Sequence, residues 1–330
     1  METVKIIVDA FGGDNAPLEI IKGCAEAVQE HGVEIILTGK ESVIRNVAEQ
    51  NNISLEKMEI ENCDEVLSMH DSAESVLKDK KNSSMGIGFR LLNEGRGDAF
   101  ISAGNSGALC VGATLAVKRI KGIKRPAFAP VLPSATGCFM LLDGGANLEC
   151  RPEMLRQFAV MGSVYMQKVM KMNDPRVALA NVGTEEHKGT ELYQETYKIL
   201  KDSKLNFVGN VEGRDIPKGV CDVVVCDGFI GNMFLKTYEG VAAVLMKEIK
   251  NMFAGSTKGK LAAALLMKDL KAMKTRFDYN TYGGAPILGS SKPVFKAHGD
   301  AKARTIKNAI GLCKDYVEAR VIDEISTSLK

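Results

Sequence analysis

Tryptophan is missing from the 330 residues, and aromatic side chains make up only 6% of them. That leaves few flat platforms on which the bases of a single strand could stack, so nucleic acid is not an expected partner. Net charge is scarce as well: 43 lysines and arginines face 41 aspartates and glutamates, a balance of +2. No global field recruits a polyanion, and any anion site must be local. No apolar run reaches the ~18 residues that a membrane span requires; the longest lie at 241–246 and 261–267. Any membrane contact is therefore expected to be peripheral. The chain opens without a basic segment, an apolar stretch and a small-residue cleavage site, so a cytoplasmic location is expected. Its eight cysteines include no CxxC pair and sit in apolar segments such as Ala108-Leu109-Cys110-Val111, as reduced core thiols do.

Several chemical fingerprints are absent too. No GxGxxG follows the first apolar run, which argues against a dinucleotide site of the usual form, and no GxxxxGK phosphate loop occurs. Ser106 lies in Gly-Asn-Ser-Gly rather than GxSxG, so the nucleophile-elbow pattern fails. Its hydroxyl is expected to cap a helix or meet a ligand. The four histidines are far apart, and no cysteine–histidine group has zinc spacing. Neither a metal nor a cofactor is expected.

What is present is alternation. With 45% hydrophobic and 25% charged residues, the composition is that of a compact globular protein. Short β-rich runs at 4–10, 33–38, 58–60, 98–102, 138–142, 176–180 and 221–226 each precede a segment of helical pattern. This predicts a three-layer α/β/α fold around a mostly parallel sheet, as one domain over residues 1–330. Runs such as Lys5-Ile6-Ile7-Val8 are continuous rather than alternating, as expected when both sheet faces are buried. Prolines at 126, 130 and 133 mark an extended, edge-like seam, because proline cannot donate to a ladder.

Residues 238–277 break the alternation. Two helical patterns joined at Ala254-Gly255-Ser256-Thr257 predict a helical hairpin. In its second arm Ala263, Leu266, Leu270 and Met273 share one side, while Lys260, Lys268, Lys271 and Lys274 gather on another. Such an arm serves as a surface or dimer helix, or as a basic amphipathic element at an anionic membrane.

The chemistry is expected in the turns that follow the strands. Phe11-Gly12-Gly13-Asp14-Asn15, Ala103-Gly104-Asn105-Ser106-Gly107, Asp143-Gly144-Gly145-Ala146-Asn147, Asn181-Val182-Gly183-Thr184 and Asp227-Gly228-Phe229-Ile230-Gly231-Asn232 all occupy such positions. In parallel sheets ligands bind at that edge. Glycine admits close approach, asparagine offers donor and acceptor, and helix N-termini offer N–H groups. Lys188 lies just before a helical segment, where a cation is unfavourable for the helix. It is read as an anion ligand or as an ion-pair partner of Glu185 or Glu186. Arg214, in the loop Gly209-Asn210-Val211-Glu212-Gly213-Arg214-Asp215, clamps an anion or pairs with its acidic neighbours. His298 is a proton donor, a phosphate ligand or a structural histidine.

Long motifs in one order give the chain its resemblance. These are Asp9-Ala10-Phe11-Gly12-Gly13-Asp14-Asn15-Ala16-Pro17, Ser102-Ala103-Gly104-Asn105-Ser106-Gly107, Leu141-Leu142-Asp143-Gly144-Gly145-Ala146-Asn147, the Gly209 to Asp215 loop, Cys226-Asp227-Gly228-Phe229-Ile230-Gly231-Asn232, Tyr282-Gly283-Gly284-Ala285-Pro286 and Lys296-Ala297-His298-Gly299. Together they resemble the bacterial acyl-acyl carrier protein:phosphate acyltransferases of phospholipid synthesis (PlsX), over nearly the whole chain. Phe11, Ser106 and Gly144 stand where that family often has methionine, threonine and leucine.

The resemblance implies a fold related to isocitrate and isopropylmalate dehydrogenases and to phosphotransacetylases, in a homodimer whose projecting hairpin contacts the membrane. It implies acyl carrier protein and inorganic phosphate as substrates, no cofactor, and a glycerol-3-phosphate acyltransferase that consumes the acyl phosphate. Taken with it, Lys188, His298 and Asn210 become the catalytic candidates. The substrate-binding candidates are Asp9, Gly12, Gly13, Asp14, Asn105, Ser106, Asn147, Asn181, Arg214, Asp227 and Asn232. A phosphotransacetylase using coenzyme A thioesters, a pyridine-nucleotide dehydrogenase and a non-enzymatic scaffold are the competing readings.

Overall fold

The computed structural model describes residues 3–276 and 282–329. Continuous apolar runs form β1 (Lys5–Asp9), β2 (Glu34–Gly39) and β4 (Ala99–Ser102) in register, with Val8 beside Leu37 on one side and Ile101 on the other. Ile6 and Val8 enter one apolar cluster, Ile7 and Phe100 another on the opposite face. Burial on both faces is what removes the polar alternation.

The predicted single sheet is in fact two. The first has seven strands, adding β3 (Met58–Asn62), β5 (Ala127–Phe128), β11 (Gly284–Leu288) and β12 (Val294–Ala297) in the order β3-β2-β1-β4-β12-β11-β5. The second has five: β6 (Val131–Ser134), β7 (Gly137–Leu142), β8 (Val177–Asn181), β9 (Phe207–Glu212) and β10 (Val223–Val225), ordered β6-β7-β10-β8-β9. Each is mostly parallel; β11 runs against both its neighbours and β6 against β7. The division falls at the proline seam. β5 closes one sheet, Pro130 follows, and β6 begins the other as an edge strand that accommodates Pro133. A missing N–H at each proline prevents one continuous ladder.

Helices cover both faces. The first sheet carries α1 (Leu18–His31) and α10 (Ala303–Glu318) on one side, with α3 (Ser84–Glu94) and α4 (Ser106–Val111) on the other. In the second sheet Met140, Leu142, Leu179 and Val225 face α5 (Pro152–Lys168), while Phe139, Leu141 and Val224 face the start of α7 (Gly228–Ala254). One apolar cluster contains Val8, Ile101 and Phe295 together with Leu142, Leu179 and Phe158, so the two sheets share a core. Three further helices are α2 (Glu41–Gln50), α6 (Glu191–Lys201) and α11 (Val321–Ser328).

After α7, Ser256 caps α8 (Thr257–Leu265), and α9 (Met267–Arg276) follows. The joint lies where the sequence predicts it, but the second arm is two short helices rather than one. Phe277 lies outside the described residues. No described helix is long and apolar enough to cross a membrane. Six cysteines are buried, Cys110 and Cys150 are half-buried, and all eight are unbridged.

Candidate active site

The carboxyl ends of β1, β4 and β12 lie side by side, so their turns meet. Asp9 closes β1 as a buried carboxyl: Ser102 Oγ donates to its Oδ2 at 2.7 Å and the Phe11 N–H to its Oδ1 at 3.2 Å. Burial pushes Asp9 up, against the pull of the Ser84 and Ser102 hydroxyls. A Cβ on Gly12 would stand 2.7 Å from both Asp9 Oδ2 and the Gly104 nitrogen, so only glycine lets the β1 and β4 turns touch. Gly13 has φ +98°, and the Asp14 N–H donates to Gly299 O at 2.7 Å. Asp9, Gly12, Gly13 and Asp14 thus fasten three turns together instead of lining open space.

Asn105 caps α4. Its Oδ1 accepts the Ala108 N–H at 3.1 Å, and its Nδ2 donates to Asp71 O at 3.1 Å. Ser106, expected as a cap, is instead the first helical residue.

On the second sheet, the Asp143 carboxylate organises the turn after β7 by accepting from residues 145–147. The Asn147 Nδ2 donates to Asp143 Oδ2 and Pro126 O, both at 2.8 Å. Asp227 caps α7 by accepting the Phe229 and Ile230 N–H groups at 2.9 Å, and its other oxygen accepts from Tyr193 Oη at 2.7 Å. Both are occupied by the protein itself, which explains their turn chemistry without a ligand.

Between the turns of the two sheets opens a cavity of about 550 Å³. Ser106, Lys296 and His298 reach it from the first sheet, and Gly144, Gly145 and Asn232 from the second. Phe128, Pro130, Leu132 and Leu235 form an apolar wall. The Asn232 amide has no protein partner among the described residues. His298 Nδ1 sits 2.5 Å from Asp300 Oδ1.

Lys188, Asn181, Asn210 and Arg214 lie outside this cavity, at the ends of β8 and β9. The five turns therefore divide between two sheets and do not converge on one edge, as a single sheet would require. Lys188 Nζ stands 3.9 Å from Glu185, and Asn181 Nδ2 donates to Lys188 O at 3.1 Å. Asn210 Nδ2 donates to Glu185 O at 2.8 Å, while its buried Oδ1 has no partner. Gly209 to Glu212, expected in a loop, belong to β9. Arg214 is 77% exposed and pairs with Glu212 at 2.7 Å. A second, smaller apolar cavity of about 320 Å³ touches Asn181, Tyr193 and Ile230.

Sequence reasoning missed Lys296. Its buried ammonium donates to the carbonyls of Ala103, at 2.9 Å, and Gly104. The signal was a lone lysine inside Val294-Phe295-Lys296-Ala297, an otherwise apolar run.

A family model described as fatty acid synthesis protein matches residues 4–324. The phosphate acyltransferase of Thermoanaerobacter pseudethanolicus is 47% identical over 328 residues, covering 99% of this chain and 98% of that one. The chain belongs to this family of acyltransferases. The phosphate acyltransferase of Clostridium botulinum (strain Loch Maree) is 46% identical over 325 residues, with 98% and 97% of the two chains covered. Among solved structures, a phosphotransacetylase from Streptococcus pyogenes superimposes with a TM-score of 0.64 at 18% identity, covering 98% of this chain and 95% of its own. A branched-chain phosphotransacylase from Enterococcus faecalis gives 0.58 at 13% identity, with 96% and 99% covered. At those identities the likeness is one of fold.

Proposed function

We propose that the protein transfers a long-chain acyl group from acyl carrier protein to inorganic phosphate in the cavity between the two sheets. The observation that carries this reading is the cavity itself, which joins an apolar wall to a polar end without an activated nucleophile. Cys110 lines it, but burial pushes that thiol up to about 12, so it stays protonated and unreactive near neutral pH. Ser106 has no adjacent base in a nucleophile elbow. Phosphate, partly dianionic near neutral pH, then attacks the thioester carbonyl directly once held close and aligned. A phosphate oxygen–carbon bond forms, the carbon–sulfur bond breaks, and the proton of hydrogen phosphate ends on the carrier thiol. Asn232, which lines the cavity, is the proposed donor to the developing oxyanion.

Pure protein incubated with palmitoyl-acyl carrier protein tests this reading. Phosphate-dependent release of free carrier, with acyl phosphate detected by mass, supports it. Turnover of acetyl-coenzyme A alone would favour a short-chain phosphotransacetylase, and no turnover a scaffold. Downstream, a glycerol-3-phosphate acyltransferase would consume the acyl phosphate, and basic patches would dock the acidic carrier.

Lys188, with Asn181 and Asn210 around it, is proposed as a second phosphate-positioning station at the edge of the five-stranded sheet. Lys188→Ala is expected to raise the phosphate KM or lower kcat about tenfold, with an unchanged circular dichroism spectrum. Unchanged phosphate kinetics would reduce Lys188 to the Glu185 ion pair.

The α7–α9 segment is proposed as the contact with an anionic membrane in a cytoplasmic, peripherally bound homodimer. Leu265 is 80% exposed, and Leu261 and Met267 are exposed beside it. Lys258, Lys260, Lys268 and Lys271 accompany them, the composition of an interfacial helix. Leu265→Glu with Leu266→Glu is expected to abolish co-sedimentation with phosphatidylglycerol vesicles. Retained co-sedimentation with loss of the dimer would assign the segment to subunit packing.

A further inference from the structure

Lysine in the interior of a strand requires a reason, because an ammonium withdrawn from water is costly unless an anion compensates it. Lys296 is such a residue. On β12 it is in register with Ser102 of β4 and with Ala285 of β11, and it is 8% exposed. Two of its three N–H groups are used by the Ala103 and Gly104 carbonyls. No carboxylate pairs with it among the described residues. The nearby Asp9 carboxylate is engaged by Ser102 and Phe11. Glu239, which also lines the cavity, is paired with Lys236 at 2.8 Å. The cavity therefore presents a buried positive charge that no carboxylate pairs directly among the described residues, beside Ser106 and His298.

We infer that Lys296 is a catalytic residue that holds the phosphate oxygens in this cavity through its third N–H and its charge. The assignment rests on the acyl-transfer reading above and goes beyond it by naming the cation. Lys296 remains an ammonium throughout: it neither attacks the thioester nor moves a proton. Its carbonyl bonds fix the Nζ atom against the β4 turn, so the charge is preorganised where phosphate must sit.

The groups facing Lys296 are Asp9 of β1, Asp14 in the following turn, Cys110 of α4 and Lys236 of α7, with His298 beyond its own strand end. Burial lowers the ammonium to about 8, against the pull of Asp9. The charge is then lost as pH rises through that value, and the phosphate KM should climb there. Lys296→Arg keeps a cation at higher pH, so it should recover part of the activity and move the climb upward. Lys296→Met, checked for an unchanged melting curve, is expected to raise the phosphate KM about tenfold or more and to lower kcat.

A measurement independent of turnover decides the same point. Wild-type protein is labelled with a water-soluble succinimidyl ester, with and without inorganic phosphate, and the modified lysines are mapped by mass spectrometry. Lys296 should be protected by phosphate while exposed Lys258 is not. Equal labelling of Lys296 in both conditions overturns the inference, as does a Lys296→Met enzyme whose phosphate KM and kcat stay within about twofold of wild type. Failure of Lys296→Met to fold leaves the labelling result to decide. Absence of phosphate-dependent turnover in the wild type would instead remove the acyl-transfer reading, and labelling would still decide the anion site.

Discussion

Replacing Asp143 by alanine is expected to cost at least about 3 kcal/mol of stability, and most of the turnover with it. The buried carboxylate accepts five hydrogen bonds. Oδ1 takes the N–H groups of Phe128 at 2.9 Å, Gly145 at 3.2 Å and Ala146 at 3.1 Å; Oδ2 takes the Asn147 N–H at 2.6 Å and its Nδ2 at 2.8 Å. Burial pushes this carboxyl up, and the converging N–H groups oppose the rise. Phe128 belongs to β5 of the seven-stranded sheet and residues 145–147 to the turn of the other, so one side chain fastens the two across the cavity. Alanine would leave four backbone N–H groups without their acceptor, while Asn147 Nδ2 keeps Pro126 O; an unpaired group costs about 1–3 kcal/mol where it is buried, and less where water reaches it. Asp143→Asn, keeping an acceptor at Oδ1 but turning an NH2 toward the Asn147 donors, should fall between wild type and alanine. Urea denaturation with parallel kcat measurements checks the series. A stability loss under about 1 kcal/mol for alanine would mean that the turn is held by other contacts.

In the first sheet β1, β2 and β4 were legible because burial on both faces demands uninterrupted β-branched runs, as in Ile6-Ile7-Val8. β5 and β6 read only as an extended proline seam, and three further strands were not read as strands. β9 carries Gly209 and Asn210 at a register irregularity, and those residues read as a turn. β11 contains Gly284 and Pro286, tolerated because it runs antiparallel near the end of its sheet. In β12 a charged residue interrupts Val294-Phe295-Lys296-Ala297, and that lysine hides the strand and the cavity's cation at once.

The candidate site was legible only in part, for a related reason. Asn and Asp in turns either meet a ligand or satisfy the backbone, and their spacing does not distinguish the two. Ser106, Asn232 and His298 face the cavity, whereas Asn105, Asn147, Asn181 and Asp227 spend their side chains on neighbouring backbone or capping bonds. Only the pairing of strands distant in sequence brings Lys296 to Ser102 and the β4 turn. Nothing local to residue 296 carries that information.

Gly231→Ala is expected to destabilise the protein by about 1–3 kcal/mol, as an overpacked core does, and to lower turnover at least tenfold, about the effect of a misplaced reacting group. Helix propensity alone predicts the opposite sign, since alanine in a helix interior is favoured over glycine by about 0.8–1.0 kcal/mol. The decisive quantity is a distance: a Cβ at residue 231 would stand 1.8 Å from the carbonyl oxygen of Asp143. That carbonyl cannot swing freely, because the Asp143 N–H donates to Cys226 O at 2.9 Å and its carboxylate is locked as described. α7 must therefore shift, and Asn232, Leu235 and Lys236 would leave the cavity with it. Gly240, in the same helix, supplies the control: a Cβ there meets nothing within 4 Å. Gly240→Ala should stabilise the protein by up to about 1 kcal/mol and leave kcat unchanged. Opposite signs at two glycines of one helix would show that the approach of α7 to the β7 turn, and not its helical propensity, sets the geometry of the cavity. Equal stabilisation at both would mean that α7 can shift without disturbing that turn.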